Sequence, residues 1–288
     1  MKEELNQEKI NSSQLSVEKK LENLCAILKD IGKVVIAFSG GVDSTLLLKV
    51  AVKTLGAANV LAVTSCAETY PQQEQKLAEE LAAELGVDHH LIYTEELKND
   101  DFTQNDRYRC YYCKYELFSE IKELAAKRGF EQVVDGSNFD DRVNDYRPGM
   151  KAARELQVRS PLMEAELNKK EIRILSRSFD LPTWDKPSFA CLSSRFPYGE
   201  EITADKLEKV AAAEKRLRAI IDGQLRLRYH DSHTARIEVS PEDFETVMGK
   251  RAELIKAFKE LGFTYITLDL EGYRTGSMNE VLENKEED

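Results

Sequence analysis

The stretch from Lys33 to Lys49, KVVIAFSGGVDSTLLLK, constrains this chain more than any other. Its first half, Lys33 to Phe38, is a short apolar, β-branched run of the kind that forms a buried parallel strand. Asp43 to Val50 then carries apolar residues on a helical face. Between them, Ser39-Gly40-Gly41-Val42-Asp43-Ser44 has to turn a strand into a helix. Two glycines without Cβ atoms let main-chain N–H groups approach an anion closely. The helix behind them adds unpaired N–H groups and the positive end of its dipole. Ser39 and Ser44 can donate hydroxyl hydrogen bonds. Together these make a pyrophosphate cradle. It is not a Walker A loop, because the Lys-Ser/Thr pair after the last glycine is missing.

The rest of the chain gives that turn a setting. Strands are expected at about Val60–Thr64, His90–Tyr93 and Gln132–Asp135, with helical stretches at 43–56, 72–86 and 111–128 between them. Such alternation marks an α/β domain with a parallel sheet and right-handed crossovers. Parallel sheets place ligands at the carboxyl ends of their strands. The glycine turn, Thr64–Ser65 and Asp135–Gly136 all fall there. Residues 1–15 are polar and expected to fray, and Val17–Asp30 reads as an amphipathic helix. A helix at 168–179 is followed by an irregular, proline-bearing stretch from Leu181 to Gly199. The pattern then changes to a helix over Thr203–Ile221 with Thr203 as N-cap. Strands at Leu225–Tyr229 and Thr234–Val239, a helix at Pro241–Leu261 and a strand at Thr264–Leu268 complete it. The expected division is a polar extension at 1–16, the α/β domain at 17–200, a small C-terminal α+β domain at 201–279 and an acidic tail at 280–288.

Composition narrows the partners. Of 288 residues, 42% are hydrophobic and 32% charged, which suits a folded, soluble protein and not a disordered one. No apolar run approaches membrane-spanning length, and MKEELNQEKINSSQL has no signal-peptide core. Five cysteines without an export signal read as thiols or metal ligands in a reducing, cytoplasmic setting. The net charge of −11 argues against a broad nucleic-acid surface.

Further constellations carry chemistry. Asp135-Gly136-Ser137-Asn138 ends the fourth strand and opens the loop FDDRVNDYRPG. There Asn138, Asp140 and Asp141 offer oxygens for Mg²⁺ or hydroxyls, and Arg147 suits a carboxylate or phosphate. A turn rich in Asx residues is the plainer alternative. Cys110-Tyr111-Tyr112-Cys113 places two thiols three positions apart near a helix start, able to grip one metal or cluster or to pack as small hydrophobes. Lys114 follows and could steer an anion. With Cys191, in the irregular KPSFACLSSRFPYG loop, they make three thiolates. A [4Fe–4S] cluster on three ligands keeps one iron open, whereas zinc would need a fourth ligand from His89, His90, His230 or His233. Cys25 and Cys66 read as structural. Arg226 and Arg228 alternate along one strand and share a face; Arg236, on the next strand, could join them as a phosphate clamp. Glu214 interrupts a run of alanines where an acid is unexpected. A solvated charged face is the alternative for these four.

The turn resembles the SGGxDS signature of the PP-loop ATP pyrophosphatases, which transfer AMP to a substrate oxygen and release pyrophosphate. From about 17 to 279 the chain resembles the LarE family, on AFSGGVDSTLLLK, DYRPGMKA, SSRFPYG, AAAEKRLR, RLRYH and TLDLEGYRTGSMN. LarE enzymes are ATP-dependent sulfur transferases. They convert pyridinium-3,5-biscarboxylic acid mononucleotide to its bisthiocarboxylic form, the ligand that later takes nickel, and are typically homohexamers with active sites near subunit contacts. One branch of the family sacrifices the sulfur of a cysteine standing where this chain has Ala190. The other uses a CxxC and a third cysteine to hold a [4Fe–4S] cluster carrying an extra sulfide.

The resemblance therefore implies ATP and Mg²⁺ over Ser39, Gly40, Gly41, Asp43 and Ser44, with Thr64 and Gly136 beside the nucleotide. It implies cluster ligation by Cys110, Cys113 and Cys191. Ser194, Arg195, Arg226 and Arg228, with Arg147, become candidates for the substrate's phosphate and carboxylates. Glu214 and Asp243 resemble metal- or substrate-binding acids. Cys191, Lys114 and Asp43 are the expected catalytic residues, a small mononucleotide and a sulfide donor the expected partners. A PP-loop tRNA thiolase is the alternative enzyme.

Overall fold

The computed structural model describes residues 2–70, 72–142 and 148–280, with side chains from residue 16 onward except that of Gln72. Elements are numbered in chain order. Two compact units emerge. One is built from the described residues of Met1–Ala67, Gln72–Thr94 and Cys110–Lys186, the other from those of Glu68–Pro71, Glu95–Arg109 and Pro187–Asp288.

The first unit contains α1 (Lys2–Ile31), β1 (Val34–Ala37), α2 (Val42–Leu55), β2 (Val60–Cys66), α3 (Gln72–Glu84) and β3 (Asp88–Tyr93). After α4 (Asp100–Thr103), which belongs to the second unit, come α5 (Arg109–Arg128), β4 (Gln132–Val134), α6 (Pro148–Glu155), α7 (Pro161–Glu164) and α8 (Lys169–Ser178). The strands form one parallel sheet in the order β3-β2-β1-β4, with Val34 opposite both Val60 and Gln132.

Successive strand residues face opposite ways, so an unbroken apolar run needs cover on both sides. Val34, Ile36 and Ala62 pack against Leu24 and Leu28 of α1, Leu46 and Leu47 of α2, Ala78 and Leu81 of α3, and Ile172 and Leu175 of α8. On the other face, Val35, Leu61, Val63 and Val133 meet Phe118, Ile121 and Ala125 of α5. This is the expected sheet with helices on both faces. It presents the turn after β1 at the carboxyl edge.

The second unit continues with α9 (Ala204–Arg218), β5 (Leu225–Tyr229), β6 (Thr234–Val239), α10 (Phe244–Gly249), α11 (Arg251–Glu260) and β7 (Tyr265–Leu268). Its sheet runs β5-β6-β7, antiparallel then parallel. Thr203 caps α9 as expected, its side chain accepting from the Lys206 N–H. The Tyr229 ring lies 5.0 Å from Phe196 and 6.1 Å from Phe263, while Arg226 and Arg228 alternate onto the opposite face of β5.

Several expectations are corrected. α1 starts at Lys2 and not near Val17, because nothing in 2–30 is a glycine or proline that would stop a helix. The helix expected over Pro241–Leu261 is divided. Pro241–Asp243 is a 3₁₀ turn, and the chain breaks at Gly249-Lys250, where the Lys250 N–H turns back onto Thr246 and Val247 carbonyls. α6 and α7, each opened by a proline, were not anticipated. Among the described residues no helix is long and apolar enough to cross a membrane.

Candidate functional site

Gly41 caps α2, and Gly40 adopts φ +62°, the left-handed region that glycine alone enters freely. A Cβ on Gly40 would also lie 3.3 Å from Ala78 of α3. Across the turn, Ser44 Oγ accepts from the Ser39 N–H at 3.3 Å, lies 3.2 Å from Ser39 Oγ and donates to the Gly41 carbonyl. Both hydroxyls expected to serve an anion therefore face one another. Thr64, two residues before the end of β2, donates to the Phe38 carbonyl at 2.7 Å and sits 2.8 Å from His89 Nε2. Burial, more than any neighbouring charge, pulls the His89 imidazole below its usual range.

Gly136 closes the turn from β4, since a Cβ there would lie 3.1 Å from the Ser44 nitrogen and 3.2 Å from its Cα. Gly136→Ala is expected to push on the first turn of α2. About 1–3 kcal/mol of stability should be lost, read as a lower urea midpoint with an unchanged slope.

Asp43 stands in the first turn of α2 between two donors. Asn138 Nδ2 reaches Oδ1 at 3.2 Å, and the Lys169 ammonium pairs with Oδ2. Asn138 is itself fixed, its N–H donating to Asp141 Oδ2 and its Oδ1 accepting from the Asp140 N–H. Asp140 Oδ2 in turn accepts from the Lys169 N–H. Sequence reasoning reached Asp43, Asn138, Asp140 and Asp141 but missed Lys169, which opens α8. It also missed Lys186, whose Nζ donates to the Gly40 carbonyl at 3.1 Å and to Glu74 Oε2 at 2.6 Å.

Cys110 and Cys113 lie one turn apart at the start of α5, and none of the five cysteines is in a disulfide. Lys114 runs beside the start of α6: a Cβ on Gly149 would come within 3.1 Å of its Cγ, and its ammonium sits 5.0 Å from the Phe118 ring centre. Arg147 lies outside the described residues. Among the described residues no three His, Cys, Asp or Glu side chains gather closely enough to hold a metal ion.

Cys191 belongs to the second unit, where its carbonyl accepts from the Ser194 N–H and hydroxyl and from Arg195. Arg195 is fully buried. Its Nε and Nη2 grip Glu214 side-on at 2.8 and 3.0 Å, and Nη1 reaches the Ala190 carbonyl at 2.7 Å. Glu214 also accepts from the Leu227 N–H. Burial raises its carboxyl, but Arg195 outweighs that and holds it below the ordinary carboxylate range. Arg228 donates to Glu238, to the Ser194 carbonyl and to Ser277. Arg236 donates to Glu238 as well.

Arg226 differs. It donates to the Leu225 and Ser188 carbonyls and lies 5.2 Å from the Tyr273 ring. Burial, then the nearby Arg195 charge, pushes it down to about 10. A buried cation of that kind is a place where an anion would be favoured. Asp243 ends the 3₁₀ turn, with its Oδ2 at 3.0 Å from where a Cβ on Gly223 would stand.

A parallel sheet whose first strand delivers Ser-Gly-Gly-x-Asp-Ser to a helix N-terminus defines a nucleotide-binding domain of the PP-loop ATP pyrophosphatase class. In keeping with that, residues 10–108 match a family described as NAD synthase. The chain is 40% identical over 263 residues to pyridinium-3,5-bisthiocarboxylic acid mononucleotide synthase of Lactiplantibacillus plantarum, covering 91% of this chain and 95% of that protein. It is 45% identical over 268 residues to the uncharacterized protein slr1717 of Synechocystis, covering 92% and 99%. With the uncharacterized protein MJ0830 of Methanocaldococcus jannaschii it shares 30% identity over 243 residues, or 84% and 91%. The chain belongs to the LarE family.

Proposed function

We propose that this protein is an ATP-dependent sulfurtransferase that converts the carboxylates of pyridinium-3,5-biscarboxylic acid mononucleotide to thiocarboxylates. The observation that carries the reading is the built phosphate loop, in a chain similar almost end to end to a protein named as the bisthiocarboxylic acid mononucleotide synthase.

ATP would lie over Ser39, Gly40, Gly41 and Ser44, with Thr64 and Gly136 beside it. Asp43, already placed between Asn138 and Lys169, is the carboxylate for Mg²⁺. A substrate carboxylate oxygen attacks the α-phosphorus, the bond to the β-phosphate oxygen breaks, and pyrophosphate leaves. Loop N–H groups, Lys114 and Arg147 offset the charge that develops. Arg226, with Ser194, is the candidate for the substrate's own anionic groups, while Arg195 and Arg228 shape the segment that presents them. Sulfur then attacks the acyl carbon, and the C–O bond to AMP breaks.

Cys110, Cys113 and Cys191 suit a [4Fe–4S] cluster in donor chemistry: three thiols outside disulfides, two of them a helical turn apart. Such a group would supply a sulfide at its open iron. The reading adds an external sulfide donor, a cytoplasmic location and a homohexamer.

The test is anaerobic purification with iron and sulfide analysis, followed by product mass spectrometry and pyrophosphate release with and without acceptor. About four irons per chain, lost in Cys191→Ala, is the expected result. Pyrophosphate release should depend on the acceptor, and the product should carry sulfur in place of oxygen. Iron-free protein that resists reconstitution would overturn the cluster. Acceptor-independent hydrolysis would overturn the transferase.

A further inference from the structure

Lys186 has no part in the reading above, yet its ammonium touches the phosphate loop. Nζ spans the Gly40 carbonyl and Glu74 Oε2 of α3, and the Lys186 and Glu74 side chains are 17% and 20% exposed. The backbone of this lysine is held too. Arg173 of α8 donates to the Lys186 carbonyl at 2.8 Å and, through its other terminal nitrogen, to the Trp184 carbonyl at 2.8 Å. The backbone of Lys186 is therefore held by α8 and its ammonium by Glu74 of α3.

A peptide unit is planar, with its C=O and N–H pointing in opposite directions. Whatever holds the Gly40 oxygen consequently fixes the direction of the Gly41 N–H. That peptide joins two glycines, so it has no side-chain barrier of its own against turning over. Ala78 stands 3.3 Å from the place of a Gly40 Cβ on one side, and Ser39 Oγ stands 3.3 Å from the place of a Gly41 Cβ. On the other side the Gly41 carbonyl is committed to α2, accepting from the Thr45 N–H at 3.0 Å.

We infer that Lys186 is a positioning residue for nucleotide binding: it pins the Gly40 carbonyl and so turns the Gly41 N–H toward the pyrophosphate of ATP, with Glu74 holding the ammonium in register. The inference rests on the ATP reading of the loop and adds to it a reason why a flexible double glycine presents a fixed donor. The free loop is then already set for its anion, and binding need not order it.

The experiment uses the full chain with Lys186→Met, Lys186→Arg and Glu74→Gln, and calorimetric titration with ATP, inorganic pyrophosphate and AMP. Lys186→Met should weaken ATP and pyrophosphate by about 10- to 100-fold, and AMP by much less. Lys186→Arg, which can still donate to the carbonyl, should recover most of the loss. Glu74→Gln should fall between, with the urea midpoint of each variant close to wild type. Unchanged pyrophosphate affinity in Lys186→Met would overturn the inference. So would an equal loss of all three ligands together with a lowered urea midpoint, which marks a general structural role. Wild-type protein that binds neither ATP nor pyrophosphate would remove the ATP reading itself, and the inference with it.

Discussion

Glu214→Ala is expected to destabilise the protein by about 3–5 kcal/mol, because it leaves the fully buried Arg195 guanidinium without its carboxylate. The loss extends past the pair, since the Leu227 N–H in β5 also loses its acceptor. A fall in both the melting temperature and the urea midpoint would register it. Replacing both partners with apolar residues should cost less than the sum of the single changes, since no buried charge is then left unpaired.

The same pair fixes a pH dependence. The Glu214 carboxyl is depressed in the folded protein, so its stabilising effect is complete above the ordinary value of 4.5 and is lost as pH falls below that. Acid unfolding of wild type should therefore steepen below that pH, and a Glu214→Gln variant should lack this component. If Glu214→Ala melts within a degree of wild type, the side-on ion pair does not hold this segment.

Asp43→Asn carries the largest expected effect on chemistry. The amide keeps the shape but loses the charge that Lys169 and a magnesium ion would share. Pyrophosphate release should drop on the order of 10²–10³-fold. Stability should move by less than about 1 kcal/mol, because the Asp43–Lys169 pair is partly solvated. Raising Mg²⁺ should recover little. A variant with near-wild-type pyrophosphate release would remove Asp43 from the adenylation step.

The α/β unit was legible because its cues are local. An apolar run before Gly40-Gly41 and a helical pattern after it leave little freedom, so the strand, the turn and the helix were read together. The residues that brace the loop were not legible, because they arrive from far along the chain. Lys186 meets Gly40 across 146 positions and Lys169 meets Asp43 across 126. One cue was present: Lys169-Lys170 opens a helix, where the dipole disfavours cations, so an anionic partner had to stand near, and Asp43 does.

For the arginines, strand alternation correctly put Arg226 and Arg228 on one face. It did not show that Glu238, opposite Arg226 in the register, is fully buried and already holds Arg228 and Arg236. What reads as an open cationic clamp is in large part an internal ion-pair network. The break at Gly249 was written in the sequence as a weak helix former, but a single glycine does not by itself end a helix.

Lys186 is the last residue of the first unit, and Cys191 follows five residues later. A chain spans at most about 3.3–3.6 Å per residue, so the Cα of Cys191 stays within about 18 Å of a residue moored to the phosphate loop. That is a leash. On the proposed reading, this bound limits how far the third thiol can stray from the Lys186 backbone, whatever the rest of the chain does.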